Sequence, residues 1–94
     1  MAHLTVGGAR LFVEREGSGP PLVLIHGFGD ESGQWAPVAA TLARRFAIVR
    51  YDLRGHGLSA GASPDEATPA RHLADLAALL DALDVGPVHL AGHD

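Results

Sequence analysis

The seven residues Val88-His89-Leu90-Ala91-Gly92-His93-Asp94 are the most informative part of the sequence. Val88 to Ala91 form a short apolar run that predicts a β-strand, and Gly92-His93-Asp94 follows directly. A strand that ends in Gly-x-Asp is typical of a sharp turn that lifts the third side chain above a sheet, because small neighbours let the backbone bend tightly. We therefore predict that Asp94 is presented at the end of a strand.

Two earlier apolar runs also end in turns rich in glycine and histidine. Leu22–Ile25 precedes His26-Gly27-Phe28-Gly29, and Phe46–Tyr51 precedes a turn that spans residues 52–59. Leu22–Ile25 lacks polar alternation, which is typical of a strand covered on both faces in a parallel sheet, and Phe46–Tyr51 is expected to be the next buried strand. Since ligands bind beyond the carboxyl ends of the strands in open α/β sheets, we expect the three turns to form one shared site.

The remaining segments predict a hairpin and two helices. Gly7-Gly8 separates two short β-type runs, a pattern typical of a tight hairpin turn. One helix is expected from Trp35 to about Arg45, and a second begins at Thr68-Pro69 and stops at Gly86-Pro87. The expected buried stripe of the second helix is Leu73, Leu76, Ala77, Leu80 and Leu83. The residues expected largely on its opposite face are Arg71, His72, Asp75 and Asp81.

The order of these elements is hairpin, strand, helix, strand, helix, strand. Strands that alternate with helices imply right-handed crossovers and a parallel sheet. We therefore predict an α/β fold over residues 1–94, a single domain in which an antiparallel hairpin precedes parallel strands joined by crossover helices.

The composition excludes several classes of function. The 94 residues carry a formal charge of −4, with no lysine and no cysteine. The chain therefore has no Walker-type phosphate loop, Schiff base, disulfide or thiolate, and without a basic cluster we expect no nucleic-acid partner. The six histidines do not fall at metal-ligand spacings, so no metal or cofactor is expected. Without a leader or an apolar run of membrane-spanning length, we expect no membrane partner and a cytoplasmic location.

Three motifs together resemble the amino-terminal part of the α/β-hydrolase fold family. They are His26-Gly27-Phe28-Gly29, Tyr51-Asp52-Leu53-Arg54-Gly55-His56-Gly57-Leu58-Ser59 and Leu90-Ala91-Gly92-His93-Asp94. The resemblance covers essentially the whole chain and implies a hydrolase that acts through a covalent intermediate on a small-molecule substrate. It also implies a sheet that is incomplete without a carboxyl-terminal portion, for which we expect a second polypeptide as partner. The alternative is that the 94 residues are the first part of a longer, uncut chain.

The resemblance implies a role for each residue at the strand ends. Asp94 would be the nucleophile, and the backbone N–H of Phe28 would donate to the oxyanion. The second oxyanion donor, the acid and the general base of the family all follow the nucleophile in sequence. Four residues are expected to contact the substrate: Gly27, Gly29, His93 and Trp35. Three more residues are expected to support the site: His26, Asp52 and Arg54. His26 would orient its loop, and Asp52 and Arg54 would pair with each other.

Asp94 leaves the type of hydrolase open. Gly92-His93-Asp94 is similar to the elbow of epoxide hydrolases and dehalogenases, in which a carboxylate attacks carbon and forms an alkyl-enzyme ester. The segment 26–30 is more similar to serine esterases and enol-lactonases. Three possibilities therefore stay open: Asp94 is the natural nucleophile, it replaces a serine, or it is the neighbour of a nucleophile displaced by one position. Two other functions remain as alternatives. One is a non-catalytic ligand receptor or interaction module. The other is a dinucleotide-binding fragment, but the Gly-x-Gly-x-x-Gly motif that such fragments need is incomplete here, because Ser32 occupies the position of its third glycine.

Overall fold

The computed structural model describes residues 2–6, 9–27, 31–59 and 68–93, and these residues include five strands and two α-helices. In chain order the elements are β1 (Ala2–Val6), β2 (Ala9–Glu16), β3 (Pro21–Ile25), a 3-10 helix (Ser32–Trp35), α1 (Ala36–Leu42), β4 (Ala47–Tyr51), α2 (Pro69–Leu83) and β5 (His89–Gly92). Neither described α-helix has the length and apolar character needed to cross a membrane.

The strands form one sheet in the order β1-β2-β4-β3-β5. β2 is antiparallel to both β1 and β4, whereas β3 is parallel to both β4 and β5. The predicted antiparallel hairpin beside a parallel sheet is therefore confirmed. Val6 pairs with Ala9 where the hairpin turns, and the Gly7-Gly8 pair expected to form that turn lies outside the described residues.

Each face of the sheet is covered by one helix. On the α2 side, a cluster that includes Leu11, Val23, Val49 and Leu79 is buried. On the α1 side, the cluster consists of Leu22, Leu24, Ala39 and Ile48. Successive residues of a strand point to opposite faces, so a strand covered on both sides needs apolar residues at every position. This requirement explains the unbroken apolar run of β3.

The buried face of α2 differs from the predicted one. Leu76, Leu80 and Leu83 pack against the core as expected. Leu73, however, is 68% exposed, and Ala77 is also exposed. Asp75, which was expected on the solvent side, is 2% exposed and lies on the packed face with Leu79. A carboxylate is rarely buried unless it has a partner, so Asp75 was expected in solvent. Its partner lies on a loop that is distant in sequence, and the helical pattern alone does not show it.

The helix boundaries show how each helix is terminated. α2 begins where predicted, and the Thr68 Oγ1 accepts a hydrogen bond from the Arg71 N–H at 3.2 Å. It ends at Leu83, ahead of Gly86-Pro87, because Asp84 adopts a left-handed conformation with φ 51°. α1 ends at Leu42 rather than near Arg45, since residues 43–45 form a turn in which the Arg45 N–H bonds to the Leu42 carbonyl at 3.0 Å.

Candidate active site

The carboxyl ends of β3, β4 and β5 meet at one edge of the sheet. β3 and β5 pair up to Ile25 and Gly92, and just beyond this pair the His93 N–H donates to the Ile25 carbonyl at 3.1 Å. β4 ends beside them, with Tyr51 paired to Ile25. The turns that follow the three strands are therefore neighbours, and the residues expected to do chemistry are built onto these turns.

The buried His26 connects the first turn to the second. Its Nε2 accepts a hydrogen bond from the Leu53 N–H at 2.9 Å, and its Nδ1 lies 2.7 Å from the Gly27 carbonyl oxygen. Because a backbone N–H can only donate, Nε2 must be unprotonated and the proton must sit on Nδ1, which donates to Gly27. Both ring nitrogens are thus engaged in fixing the backbone, an arrangement that favours a supporting role for His26.

The carboxylate of Asp52 holds two loops at once. It is 1% exposed, and its two oxygens accept hydrogen bonds from the Ser32 N–H and the Leu58 N–H, each at 2.7 Å. Hydrogen bonds from N–H groups to a carboxylate are among the strong ones in proteins. Gly57, with φ +48°, packs so close to this carboxylate that a Cβ at position 57 would collide with it. Asp52 therefore fixes the start of the 3-10 helix relative to the turn 53–59.

Ser59 closes the same turn and was not singled out from the sequence. Its buried hydroxyl donates to the Asp52 carbonyl and accepts from the Phe12 N–H, the latter at 3.0 Å. The hydroxyl thereby joins the turn to β2. Its position at the end of the Gly-His-Gly-Leu-Ser motif was the only sequence signal for this role.

Arg54 pairs with Asp75 of α2, so the expected pairing of Arg54 with Asp52 is wrong. Arg54 Nε donates to Asp75 Oδ2 at 2.9 Å and Nη2 donates to Asp75 Oδ1 at 2.8 Å. The two side chains are only 4% and 3% exposed. Asp52 is occupied by backbone N–H groups instead, and the planar fork of the guanidinium matches a carboxylate that faces it across the core.

Three imidazoles and a phenol surround this ion pair. The ring of His56 lies 5.1 Å from that of His26 and 6.2 Å from that of His72. Burial, together with the neighbouring His56, lowers the pKa of His72. Burial and then the negative charge of Asp75 raise the pKa of the Tyr51 phenol well above its ordinary value. Both shifts favour uncharged side chains around the Arg54–Asp75 pair.

A cleft of about 420 Å³ opens beside β5 and the 3-10 helix. It is lined by Gln34, Trp35, Val38 and His93. Trp35 and His93, both expected to contact the substrate, lie together with their rings perpendicular at 85° and 6.4 Å apart. Gln34 was missed by the sequence analysis, although its Nε2 lies 3.3 Å from His93 Nδ1. A glutamine at a helix start carries no sequence signal for such a contact.

The remaining predicted site residues are only partly covered by the structure. Gly27 is described and buried. Phe28, Gly29 and Asp94 lie outside the described residues, so their roles stay predictions. Within the described part of the chain, no group of three or more His, Cys, Asp or Glu side chains could hold a metal ion.

Known proteins share this arrangement of strands and turns. Residues 20–94 match the model of the alpha/beta hydrolase fold. The chain is 45% identical over 91 residues to the probable oxidoreductase EphD of Mycobacterium tuberculosis, a match that covers 93% of this chain and 15% of that protein.

Two solved structures extend the comparison to three dimensions. An epoxide hydrolase from Vigna radiata superposes with a TM-score of 0.89 at 32% identity, covering 99% of this chain and 31% of that chain. The enol-lactonase from Burkholderia xenovorans superposes with a TM-score of 0.89 at 30% identity, covering 97% of this chain and 36% of that chain. The chain thus spans about a third of these structures, and it belongs to the α/β-hydrolase fold family.

Proposed function

We propose that this chain forms the nucleophile-bearing part of a hydrolase that opens a small epoxide, ester or lactone through a covalent intermediate. The observation that carries the proposal is the meeting of three strand ends at one edge, where the His93 N–H bonds to the Ile25 carbonyl. This contact places the residue before Asp94 beside the His26-Gly27 turn, which leads to the proposed oxyanion donor Phe28. The similarity to an epoxide hydrolase and an enol-lactonase supports the same chemistry.

The proposed reaction begins at the carboxylate of Asp94. One carboxylate oxygen attacks an epoxide carbon, the ring C–O bond breaks, and the ring oxygen takes a proton from an acid in the remainder of the fold. Water then attacks the carbonyl carbon of the resulting ester and gives a proton to the base in the remainder of the fold, while the N–H of Phe28 stabilises the oxyanion that forms. Breaking the acyl C–O bond releases the diol and restores Asp94. Gly27 and Gly29 would allow the ester to approach the backbone, while Trp35 and His93 would line the substrate cleft.

The remainder of the fold is part of this proposal. Within the described sheet β5 pairs with β3, and Leu90 of β5 is 54% exposed. An exposed strand edge with an apolar side chain is a surface that further strands cover in a completed sheet. We propose that the carboxyl-terminal portion of the fold supplies these strands together with the acid, the base and the second oxyanion donor.

Turnover of two model substrates tests the reaction class. The assembled protein is assayed with styrene oxide and with p-nitrophenyl acetate. Opening of the epoxide supports Asp94 as the nucleophile, whereas ester turnover alone favours a serine-type reaction. Turnover of neither favours a ligand receptor that has kept the fold without the catalysis.

Isotope transfer then tests the nucleophile directly. In a single turnover in H₂¹⁸O, a carboxylate nucleophile gives its own ¹⁶O to the diol, and the water oxygen appears in the peptide that contains Asp94. Direct attack by water would instead place ¹⁸O in the diol. Asp94→Ala is expected to abolish epoxide turnover. Asp81→Ala, at an exposed position of α2, is the matched control and is expected to leave turnover unchanged.

A further inference from the structure

Two residues of the 3-10 helix hold the side chain of His93. Gln34 Nε2 lies 3.3 Å from His93 Nδ1, and the Trp35 ring packs perpendicular to the imidazole at 6.4 Å. The backbone of His93 is fixed independently, because its N–H donates to the Ile25 carbonyl at 3.1 Å. Both the main chain and the ring of His93 are therefore positioned by neighbours that are distant in sequence.

The 3-10 helix that carries Gln34 and Trp35 is itself anchored. Its first residue, Ser32, is buried and donates its N–H to Asp52 Oδ1 at 2.7 Å. The Ser32 carbonyl accepts from Arg50 Nη1 at 3.1 Å. Since both backbone polar groups of Ser32 are held from β4 and the turn that follows it, Gln34 approaches His93 from a fixed support.

With the amide of Gln34 oriented as in this structure, its contact with His93 matches one tautomer of the imidazole. The amide nitrogen of glutamine only donates, and a neutral imidazole has one donor and one acceptor nitrogen. A hydrogen bond from Gln34 Nε2 therefore makes Nδ1 of His93 the acceptor and places the proton on Nε2. His26 has the opposite tautomer, since its Nε2 accepts from the Leu53 N–H.

We propose that Gln34 is a positioning residue that acts through His93, fixing the proton on Nε2 so that the imidazole presents an N–H donor to an oxygen atom of the ligand in the cleft. The rest of the cleft lining, Trp35 and Val38, offers apolar surface to the carbon skeleton next to that oxygen. The cleft therefore selects a compound with an apolar group adjacent to an ether, epoxide or carbonyl oxygen. The identity of this ligand as the substrate rests on the proposed function.

The tautomer is measured directly by ¹⁵N NMR of the histidine side chains. Long-range ¹H–¹⁵N spectra of the ¹⁵N-labelled protein are recorded at alkaline pH, about two units above the ordinary histidine pKa of about 6.5. The His93 signals are assigned by their loss in His93→Gln. We expect a pyrrole-type Nε2 and a pyridine-type Nδ1 for His93. A pyrrole-type Nδ1 overturns the inference, and this result requires no Gln34 variant to fold.

Two substitutions of Gln34 change the tautomer in different ways. Gln34→Glu replaces the donor by a carboxylate acceptor, so the His93 proton is expected to move to Nδ1. Gln34→Leu removes the hydrogen bond, so a mixture of tautomers is expected. His89, whose ring packs against Phe46 instead, reports on intact folding and should not change. Retention of the pure Nε2 tautomer in both variants overturns the role of Gln34.

Kinetics on the assembled protein test the donor to the ligand. Both Gln34 variants are expected to raise KM about 3- to 10-fold with a smaller change in kcat, the loss expected for one neutral hydrogen bond. Arg44→Gln, at an exposed position after α1, should leave KM unchanged. An unchanged KM in the Gln34 variants overturns the proposal. If the Nε2 tautomer is found but neither ester nor epoxide is turned over, the proposed function fails and the role of Gln34 in fixing the tautomer stands.

Discussion

Arg54 and Asp75 form a two-point salt bridge inside the protein, with N–O distances of 2.9 and 2.8 Å and side-chain exposures of 4% and 3%. It connects the turn after β4 to the middle of α2. Removing either partner breaks a buried ion pair, so Arg54→Ala or Asp75→Ala is expected to lower the free energy of unfolding by about 3–5 kcal/mol. Urea denaturation measures this loss.

Two controls separate the lost pair from other effects of substitution on α2. Asp81→Ala, on an exposed part of the same helix, is expected to change stability by less than about 0.5 kcal/mol. The double variant Arg54→Met/Asp75→Leu should be more stable than either single variant, because it leaves no unpaired charge. A double variant whose losses simply add would contradict the pairing.

Asp52 is expected to protect two particular backbone amides. In Asp52→Ala the N–H groups of Ser32 and Leu58 lose a carboxylate acceptor. Each should exchange with solvent about 10- to 100-fold faster, since a hydrogen bond to a charged group contributes about 1.5–3 kcal/mol. Hydrogen exchange followed by NMR gives these rates one residue at a time. The His93 amide, which bonds to Ile25, is the internal reference, and an equal acceleration there would indicate general destabilisation instead.

Gly57 and Gly86 allow backbone strain to be separated from collision. Both have positive φ, +48° and +72°, but only at Gly57 would an added Cβ meet a neighbour, the Asp52 carboxylate. Gly86→Ala is expected to lower the free energy of unfolding by about 1–2 kcal/mol through backbone strain alone. Gly57→Ala should lower it by about 1–3 kcal/mol more, because the new methyl group displaces the buried Asp52 carboxylate, which accepts two hydrogen bonds. Equal losses in thermal denaturation would show that the carboxylate moves freely.

Tyr51 is the single tyrosine of the chain, so its ionisation can be followed by absorbance at about 295 nm. Burial and the charge of Asp75 raise the pKa of its phenol. The unfolded chain loses the phenolic proton near pH 10, while the folded chain keeps it to higher pH. Stability should therefore fall as pH rises above about 10. A phenol that ionised near pH 10 in the folded protein, as it does in guanidinium chloride, would contradict this expectation.

The fold was largely predictable from the sequence, because the features that specify it are local. The unbroken apolar run at Leu22–Ile25 indicated a strand covered on both faces, and the structure covers it with α1 and α2. Thr68-Pro69 indicated the start of α2, and the helix begins there. The family resemblance, stated from three motifs, is confirmed by the match over residues 20–94.

The side-chain partners were not predictable, because they are distant in sequence. Asp75 lies 21 residues from Arg54, and a pattern that counts only apolar positions placed it in solvent. Gln34 and His93 are 59 residues apart and come together only when β5 lies beside β3. Periodicity identifies which face of an element is apolar, whereas a buried ion pair or a fixed imidazole depends on how whole elements are placed.

The fixed ends of the segment between Gly27 and Ser32 have a consequence for protein engineering. At one end His26 bonds to the Gly27 carbonyl, and at the other Asp52 and Arg50 hold the backbone N–H and carbonyl of Ser32. The proposed oxyanion donor Phe28 lies between these two positions in the sequence, whereas the wall formed by Gln34 and Trp35 has its own support at Ser32. Libraries of altered specificity can therefore vary the side chains of this wall at constant chain length, because a single residue added between Ser32 and Gln34 would move the wall relative to its support.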